Sequence, residues 1–269
     1  MTAVPTHDLP PYRAMLAVDV KDFSSRPGRD HHDLTEEIPG ILRAAFARGG
    51  RESAWVDDRC FHRSDGDGYV AGFRPAILPF LITTFLSELQ NELAERDGVG
   101  RGDHRDPIRM RVSINVGPVA SSGGNTIADG SGRARIELHR FLDCAAVRQA
   151  LDRSDPATHV AAIISRHAFD DAVLTGYAGE GAHAYFTPVP VDIPEKKFRG
   201  EAYLRVPNAT GDLVARGLQP ERSRSSGTAT DAVDADGPTP QVRTTITNND
   251  GVVHSGIGNL YTRRQRRDR

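Results

Sequence analysis

An α+β sandwich, with helices over one face of a mostly antiparallel sheet, is the fold this sequence predicts, and three observations carry it. From Tyr12 to Val206 apolar residues switch between strand-like and helix-like spacing, and the stretch closes on two β-like runs. An Asp-Gly turn signal, Asp65-Gly66-Asp67-Gly68, stands before the strand-like Tyr69-Val70-Ala71-Gly72-Phe73. From Gly217 to Gln241 the chain is rich in Ser, Thr, Asp, Gly and Pro with almost no large apolar residues, so it cannot bury enough surface to fold alone. The 269 residues therefore divide into a disordered start (1–11), one domain (12–208), a disordered linker (209–240) and a β-prone motif with a basic tail (241–269).

Taken in order, Tyr12 to Val20 is a buried strand and Lys21 to Asp30 a polar loop. Leu34, Ile38, Ile41, Leu42 and Ala45 recur at helical spacing, which predicts a helix over Asp33–Arg48 with a kink or restart at Pro39-Gly40. Trp55-Val56 and Cys60 to Arg63 form the incoming arm of the Asp-Gly hairpin. Leu78, Ile82, Phe85, Leu89 and Leu93 mark a second helix over Pro75–Arg96, followed by a loop over Asp97–Pro107. Met110, Val112, Ile114 and Val116 alternate with Arg111, Ser113 and Asn115, a strand with one wet face. The Gly-rich Ser121–Arg133 reads as a flexible loop, Ile136–Leu151 as a third helix, Val160–Ile164 as a short buried strand and His167–Leu174 as a short helix. Tyr185–Ile193 and Glu201–Val206 read as a final strand pair.

Composition narrows the function classes. A net charge of −2 gives no reason to expect a general nucleic-acid binder, and no stretch is long and apolar enough to span a membrane. The basic run from Thr262 to Arg269 reads as a solvated terminus, with contact to a membrane surface, nucleic acid or an acidic partner as the alternative. Met1 to Pro11 lacks the basic start and apolar centre of a signal peptide, and two cysteines, Cys60 and Cys144, make no disulfide framework. A cytoplasmic location is the expectation.

The chemistry concentrates on two acids. Asp19 ends the apolar run Ala14-Met15-Leu16-Ala17-Val18, and Asp67 lies in the Asp-Gly turn. If the two strands lie side by side, the carboxylates converge, and they repel each other unless one is protonated or a cation sits between them. Oxygen ligands of this kind suit Mg²⁺ or Mn²⁺. The alternative is that Asp67 serves a tight turn and Asp19 caps the helix that follows; Asp65 is read as turn chemistry alone. An EF-hand is excluded, because the remaining loop ligands and the closing Glu are missing.

A strand ending in Asp-Val-x-x-Phe, then a helix, then a hairpin carrying Gly-Asp-Gly, then Arg109-Met110-Arg111-Val112-Ser113-Ile114-Asn115-Val116-Gly117-Pro118-Val119, resembles the catalytic domain of class III nucleotidyl cyclases, as a divergent bacterial member. The resemblance covers residues 12 to 205 and implies a ferredoxin-like sandwich that dimerises head to tail, with the active site between two subunits. It implies conversion of a nucleoside triphosphate to a 3′,5′-cyclic nucleotide and pyrophosphate, with two Mg²⁺ or Mn²⁺ per site. Asp19 and Asp67, with the carbonyl of Val20, would hold the metals, and backbone amides of Lys21, Asp22 and Phe23 would meet the triphosphate.

Two parts of the chain depart from the family pattern. The third helix of the family carries an Asn and, four residues on, an Arg; here Asp143 stands where Asn is expected and Arg148 comes one residue late, with Arg140 as a substitute. Arg63 aligns with the purine-selecting Lys, with Glu137 as the candidate partner acid. These departures leave open a second reading, a degenerate cyclase-like domain that senses a nucleotide without turning it over. A third concerns Gln241–Tyr261, which alternates β-branched residues with Asn and Gly. It resembles short amyloid-type signalling motifs that recruit an effector partner, against the plainer reading of a terminal hairpin turning at Asp250-Gly251.

Overall fold

The computed structural model describes residues 7–64, 66–100 and 106–217. Asp65 and the 241–261 motif lie outside the described residues, as does the basic tail.

Seven strands form one sheet in the order β2-β3-β1-β4-β5-β7-β6. They are β1 (Tyr12–Val20), β2 (Arg59–Ser64), β3 (Gly68–Phe73), β4 (Met110–Pro118), β5 (Val160–Ser165), β6 (Thr187–Ile193) and β7 (Phe198–Arg205). Every neighbouring pair is antiparallel except β4 and β5, which run parallel. A parallel step needs a crossover, and the chain makes it through α5 (Arg133–Leu142) and α6 (Ala145–Asp152).

Helices cover both faces of the sheet, where the alternation on β4 had indicated one wet face. On one side Ala14, Leu16 and Val18 of β1 share a core with Leu34, Ile38, Ile41, Leu42 and Phe46 of α1 (Gly28–Arg48). On the other side Met15 and Ala17 meet Ala134, Leu138 and Leu142 of α5. Ser113 and Asn115 are therefore buried, and Asn115 Nδ2 donates to the carbonyl of Ala134 at 2.8 Å. Small polar residues on β4 look wet in sequence but serve here to admit α5 closely; Gly117 faces the Ala134 Cβ where a side chain would clash.

α1 runs unbroken through Pro39 and begins earlier than its apolar spacing indicates. Proline removes one backbone donor, and the continuous buried face from Leu34 to Phe46 outweighs that loss. At the start, His31 stacks on Phe23 with centroids 4.5 Å apart, and so draws polar residues 28–32 into the helix. Trp55-Val56 belong to α2 (Glu52–Asp57), not to the hairpin arm: Trp55 packs edge-on against Phe46 at 5.3 Å, next to Phe73, Phe80 and Phe85.

The second helix is a composite of a 3₁₀ turn (Pro75–Ile77), α3 (Leu78–Phe80), a π turn (Leu81–Phe85) and α4 (Leu86–Gly100). Buried Arg205 on β7 meets the π turn, donating to the carbonyls of Ile82 and Thr83 and to Ser87 Oγ. The expected third helix is two, because Asp143 and Cys144 break it and Cys144 is extended. Leu138 and Leu142 pack under β1, whereas Val147, Ala150 and Leu151 pack under β5, so one straight helix cannot serve both clusters. α7 (Arg166–Phe169) continues into a π turn over Asp170–Leu174, and Tyr185 ends a 3₁₀ turn instead of starting β6. Folded chain also extends past residue 208: α8 (Gly211–Arg216) buries Leu213, whose amide donates to the Arg153 carbonyl at 3.3 Å. No helix among the described residues is long and apolar enough to cross a membrane.

Candidate active site

The pairing of β1 with β3 brings the two acids together. Asp19 is opposite Gly68, and the Val20 amide donates to the Asp67 carbonyl at 2.9 Å. Thr35 Oγ1 of α1 donates to the Gly66 carbonyl at 2.9 Å and fixes the turn that presents Asp67. Asp67 is exposed, whereas the Asp19 side chain is only 15% exposed.

β4 supplies Arg111, whose alternation with apolar residues in the sequence indicates a wet face. Arg111 lies opposite Asp19, and its Nε donates to Asp19 Oδ1 at 2.7 Å. Burial raises the Asp19 pKa above the usual carboxylate range; Arg111 opposes that shift, and Asp67 adds to it. Arg111 thus covers Asp19, while Asp67 carries a second negative charge in solvent beside it. That is the electrostatic condition in which a divalent cation is held, and two carboxylates with a backbone carbonyl suit Mg²⁺, which keeps waters and substrate oxygens in its shell. Among the described residues no cluster of three or more His, Cys, Asp or Glu side chains could form an all-protein cage.

The loop after β1 is only partly available to a ligand. The Lys21 amide donates to the Arg109 carbonyl at 2.8 Å, and among the described residues the amides of Asp22 and Phe23 donate to no backbone carbonyl. Asp22 adopts a left-handed conformation, φ 56°, at the entry to a 3₁₀ turn over Phe23–Ser25. Lys21 Nζ bridges Asp22 at 2.9 Å and Asp152 at 3.0 Å, and the Asp22 bond first holds the ammonium pKa above its usual range. A cavity of about 320 Å³ beside this loop contains Lys21, Arg26 and Arg109. Its cations are engaged: Arg109 donates to the carbonyls of Leu151, Ser154, Asp155 and Thr158, and Arg26 to those of Asp106 and Pro107.

The residues of the expected second half-site are occupied elsewhere. Asp143 accepts from Arg148 at 3.2 Å and from Lys196, so it stands in an ion cluster at the helix break. Arg148 is exposed, and its charge reaches Asp19 of the same chain and lowers its pKa. The Arg140 guanidinium lies 5.2 Å from the Phe198 ring centroid.

Arg63 does not project freely toward a base. It donates to Asn125 Oδ1 at 2.7 Å and to the Thr126 carbonyl, and Asn125 Oδ1 also accepts the His62 amide at 2.9 Å. Asp129 accepts the amides of Ser122 at 2.6 Å and Thr126 at 2.9 Å, together with Ser122 Oγ at 2.8 Å; the Ser122 amide first draws its pKa below the usual carboxylate range. The Gly-rich loop is therefore pinned, not loose. Arg63 and Asp129 hold Thr126 by its two ends, whereas Glu137 pairs with Arg133 at 2.8 Å on its own helix. The Asx-turn chemistry of Asn125 and Asp129 was the signal for this in the sequence.

Neither a protein-family model nor a curated protein sequence matches the chain. Among solved structures, an adenylate/guanylate cyclase/hydrolase from Silicibacter pomeroyi is similar at 19% identity and a TM-score of 0.47, covering 74% of this chain and 98% of that one. The guanylyl cyclase Cya2 is similar at 14% identity and 0.46, covering 75% and 94%. The guanylate cyclase domain of RhGC from Catenaria anguillulae, in complex with GTP, is similar at 14% identity and 0.44, covering 74% and 97%. These likenesses are too distant to carry a function across, which therefore rests on the side chains of this chain.

Proposed function

We propose that the chain is a nucleotidyl cyclase-like domain that binds a nucleoside triphosphate with divalent metal and forms a 3′,5′-cyclic nucleotide and pyrophosphate at the interface of a homodimer. The observation that supports this most is the meeting of Asp19 and Asp67 at the ends of adjacent strands, with Arg111 facing Asp19 from the next strand.

Asp19, Asp67 and the Val20 carbonyl would hold Mg²⁺ or Mn²⁺. When bound, such metal would stabilise negative charge on the attacking 3′-oxygen and on the departing pyrophosphate. The chain's own groups do the rest. Arg111 holds Asp19 in place and offers its remaining N–H donors toward the phosphates. The free amides of Asp22 and Phe23 present donors to a terminal phosphate oxygen. A partner copy brings α5, and with it Arg140, to the ribose side.

A second reading has its own support. If Arg140 fills the family's Arg place, the residue four positions before it is Ile136, an exposed apolar side chain where an amide would orient the ribose. With Asp143 tied to Arg148 and Lys196, the domain would bind nucleotide without turning it over. Recruitment of a partner through 241–261 is an independent proposal compatible with either reading.

Equilibrium dialysis of each nucleoside triphosphate with Mn²⁺ tests the shared part. Metal-dependent binding that Asp67→Ala abolishes is the expected result; binding indifferent to both metal and Asp67 overturns it.

A further inference from the structure

A second cavity, of about 490 Å³, opens between α1 and the β2–β3 hairpin, on the opposite face of β2 from Arg63. Its floor is a row of flat groups. The Arg59 guanidinium carbon lies 4.7 Å from the Trp55 ring centroid; Trp55 and Tyr69 lie 5.9 Å apart at 24°; Tyr69 and His62 lie 6.0 Å apart at 23°. A register shift between Arg59 and Phe61 sets Arg59 on the face of His62, and Arg59 Nη1 donates to the Tyr69 hydroxyl at 3.1 Å.

Trp55 and Tyr69 are buried, whereas His62 is partly exposed and forms the solvent end of the row. Burial and the charges of Arg59 and Arg63 hold its pKa below the usual value, so the ring stays neutral near neutral pH. The rim carries unused polar chemistry. Arg59 makes one hydrogen bond among the described residues, which leaves other N–H donors, and neither the His62 ring nor Glu36 has a hydrogen bond there. Arg43, seven residues after Glu36 on α1, engages Glu52 through Nε and Nη2 and keeps Nη1.

We propose that this cleft binds a nucleoside monophosphate. A flat heteroaromatic ring continues the row on His62 as stacked bases do on aromatic platforms. Arg59 and the spare edge of Arg43 take the phosphate, and Glu36 accepts from an exocyclic amine or ribose hydroxyl. The volume lies within the ordinary range for small-molecule sites. Two arginines match one phosphate, not the longer anionic chain that the Asp19–Asp67 site is proposed to take. Through Thr35 and Gly66 the same seam between α1 and the hairpin fixes the turn of Asp67, so the site is placed to influence the first.

Trp55 is the only tryptophan of the chain and reports on this cleft directly. The test is calorimetric titration of the full chain with AMP, GMP, CMP and UMP in turn, in EDTA, with tryptophan emission followed in parallel. The expected result is saturable binding of at least one monophosphate with a change in emission. His62→Ala and Glu36→Gln, both at solvent-facing side chains, should each weaken it about tenfold. Asp67→Ala, which disables the proposed metal site, should leave it unchanged. Absence of saturable binding to all four by the folded protein overturns the proposal, as does binding that survives His62→Ala but is lost in Asp67→Ala.

Discussion

Arg111 and Asp19 face each other across β4 and β1, with Nε 2.7 Å from Oδ1 and both side chains largely buried. The guanidinium covers one carboxylate, and the second, Asp67, stays in solvent.

A divalent cation should therefore stabilise the fold. Mn²⁺ is expected to raise Tm in the unaltered chain and to have no effect in Asp67→Asn. The pH dependence follows from Asp19, whose pKa is raised by burial. Protons compete with metal for that carboxylate, so the Mn²⁺ effect should be full near neutral pH and fade as the pH falls into the window between the raised pKa and the ordinary carboxylate value of about 3.9. The sign for stability without metal is the reverse of a paired acid: the raised pKa makes the folded state bind more protons, so this group's contribution falls as pH rises through that window. Thermal melts with and without Mn²⁺ across pH check both directions.

Removing Arg111 leaves a mostly buried carboxylate without its cation. Arg111→Ala should cost about 3 kcal/mol of stability in chemical denaturation. Because Mn²⁺ supplies positive charge at the same carboxylate, part of that loss should return when metal is added.

Arg205 gives a test away from the site. Burial pushes its pKa down to about 10, so it stays charged at neutral pH while donating to the carbonyls of Ile82 and Thr83 and to Ser87 Oγ. Arg205→Ala should cost about 2 kcal/mol, with Arg205→Lys recovering only part, since one ammonium cannot reproduce a planar fork. Urea midpoints of the three proteins check the order.

The cysteines should behave as two independent thiols. Cys144 is 3% exposed and burial pushes its pKa up, whereas Cys60 is partly exposed. A thiol reagent is expected to label Cys60 quickly and Cys144 only as fast as the protein opens, as peptide mapping after timed labelling would show.

Much of the hairpin and both acids were legible in the sequence, because Asp-Gly turns and apolar runs act locally. β1 spans Tyr12–Val20 as its apolar run indicates, and β3 opens at Gly68, directly after Asp67. What local pattern could not give was the second covered face of the sheet: Ser113 and Asn115 look wet until α5 arrives from nearly twenty residues on. For the same reason Arg111 read as a solvent-facing residue, and Arg63 as a base selector. Both are set by contacts across the sheet or from the loop around Asn125. The break at Asp143-Cys144 was equally hidden, since each half of the helix has a regular apolar face and only their different partners require the bend.

The most direct measurement is a product assay of the purified chain with ATP, GTP, CTP and UTP separately, with Mg²⁺ or Mn²⁺, read by mass spectrometry beside Asp67→Ala. A cyclic nucleotide that disappears in the variant is the predicted result, and it also names the base. A folded, dimeric protein that binds nucleotide with metal yet yields no cyclic product from any of the four contradicts catalysis, and leaves the domain a nucleotide sensor.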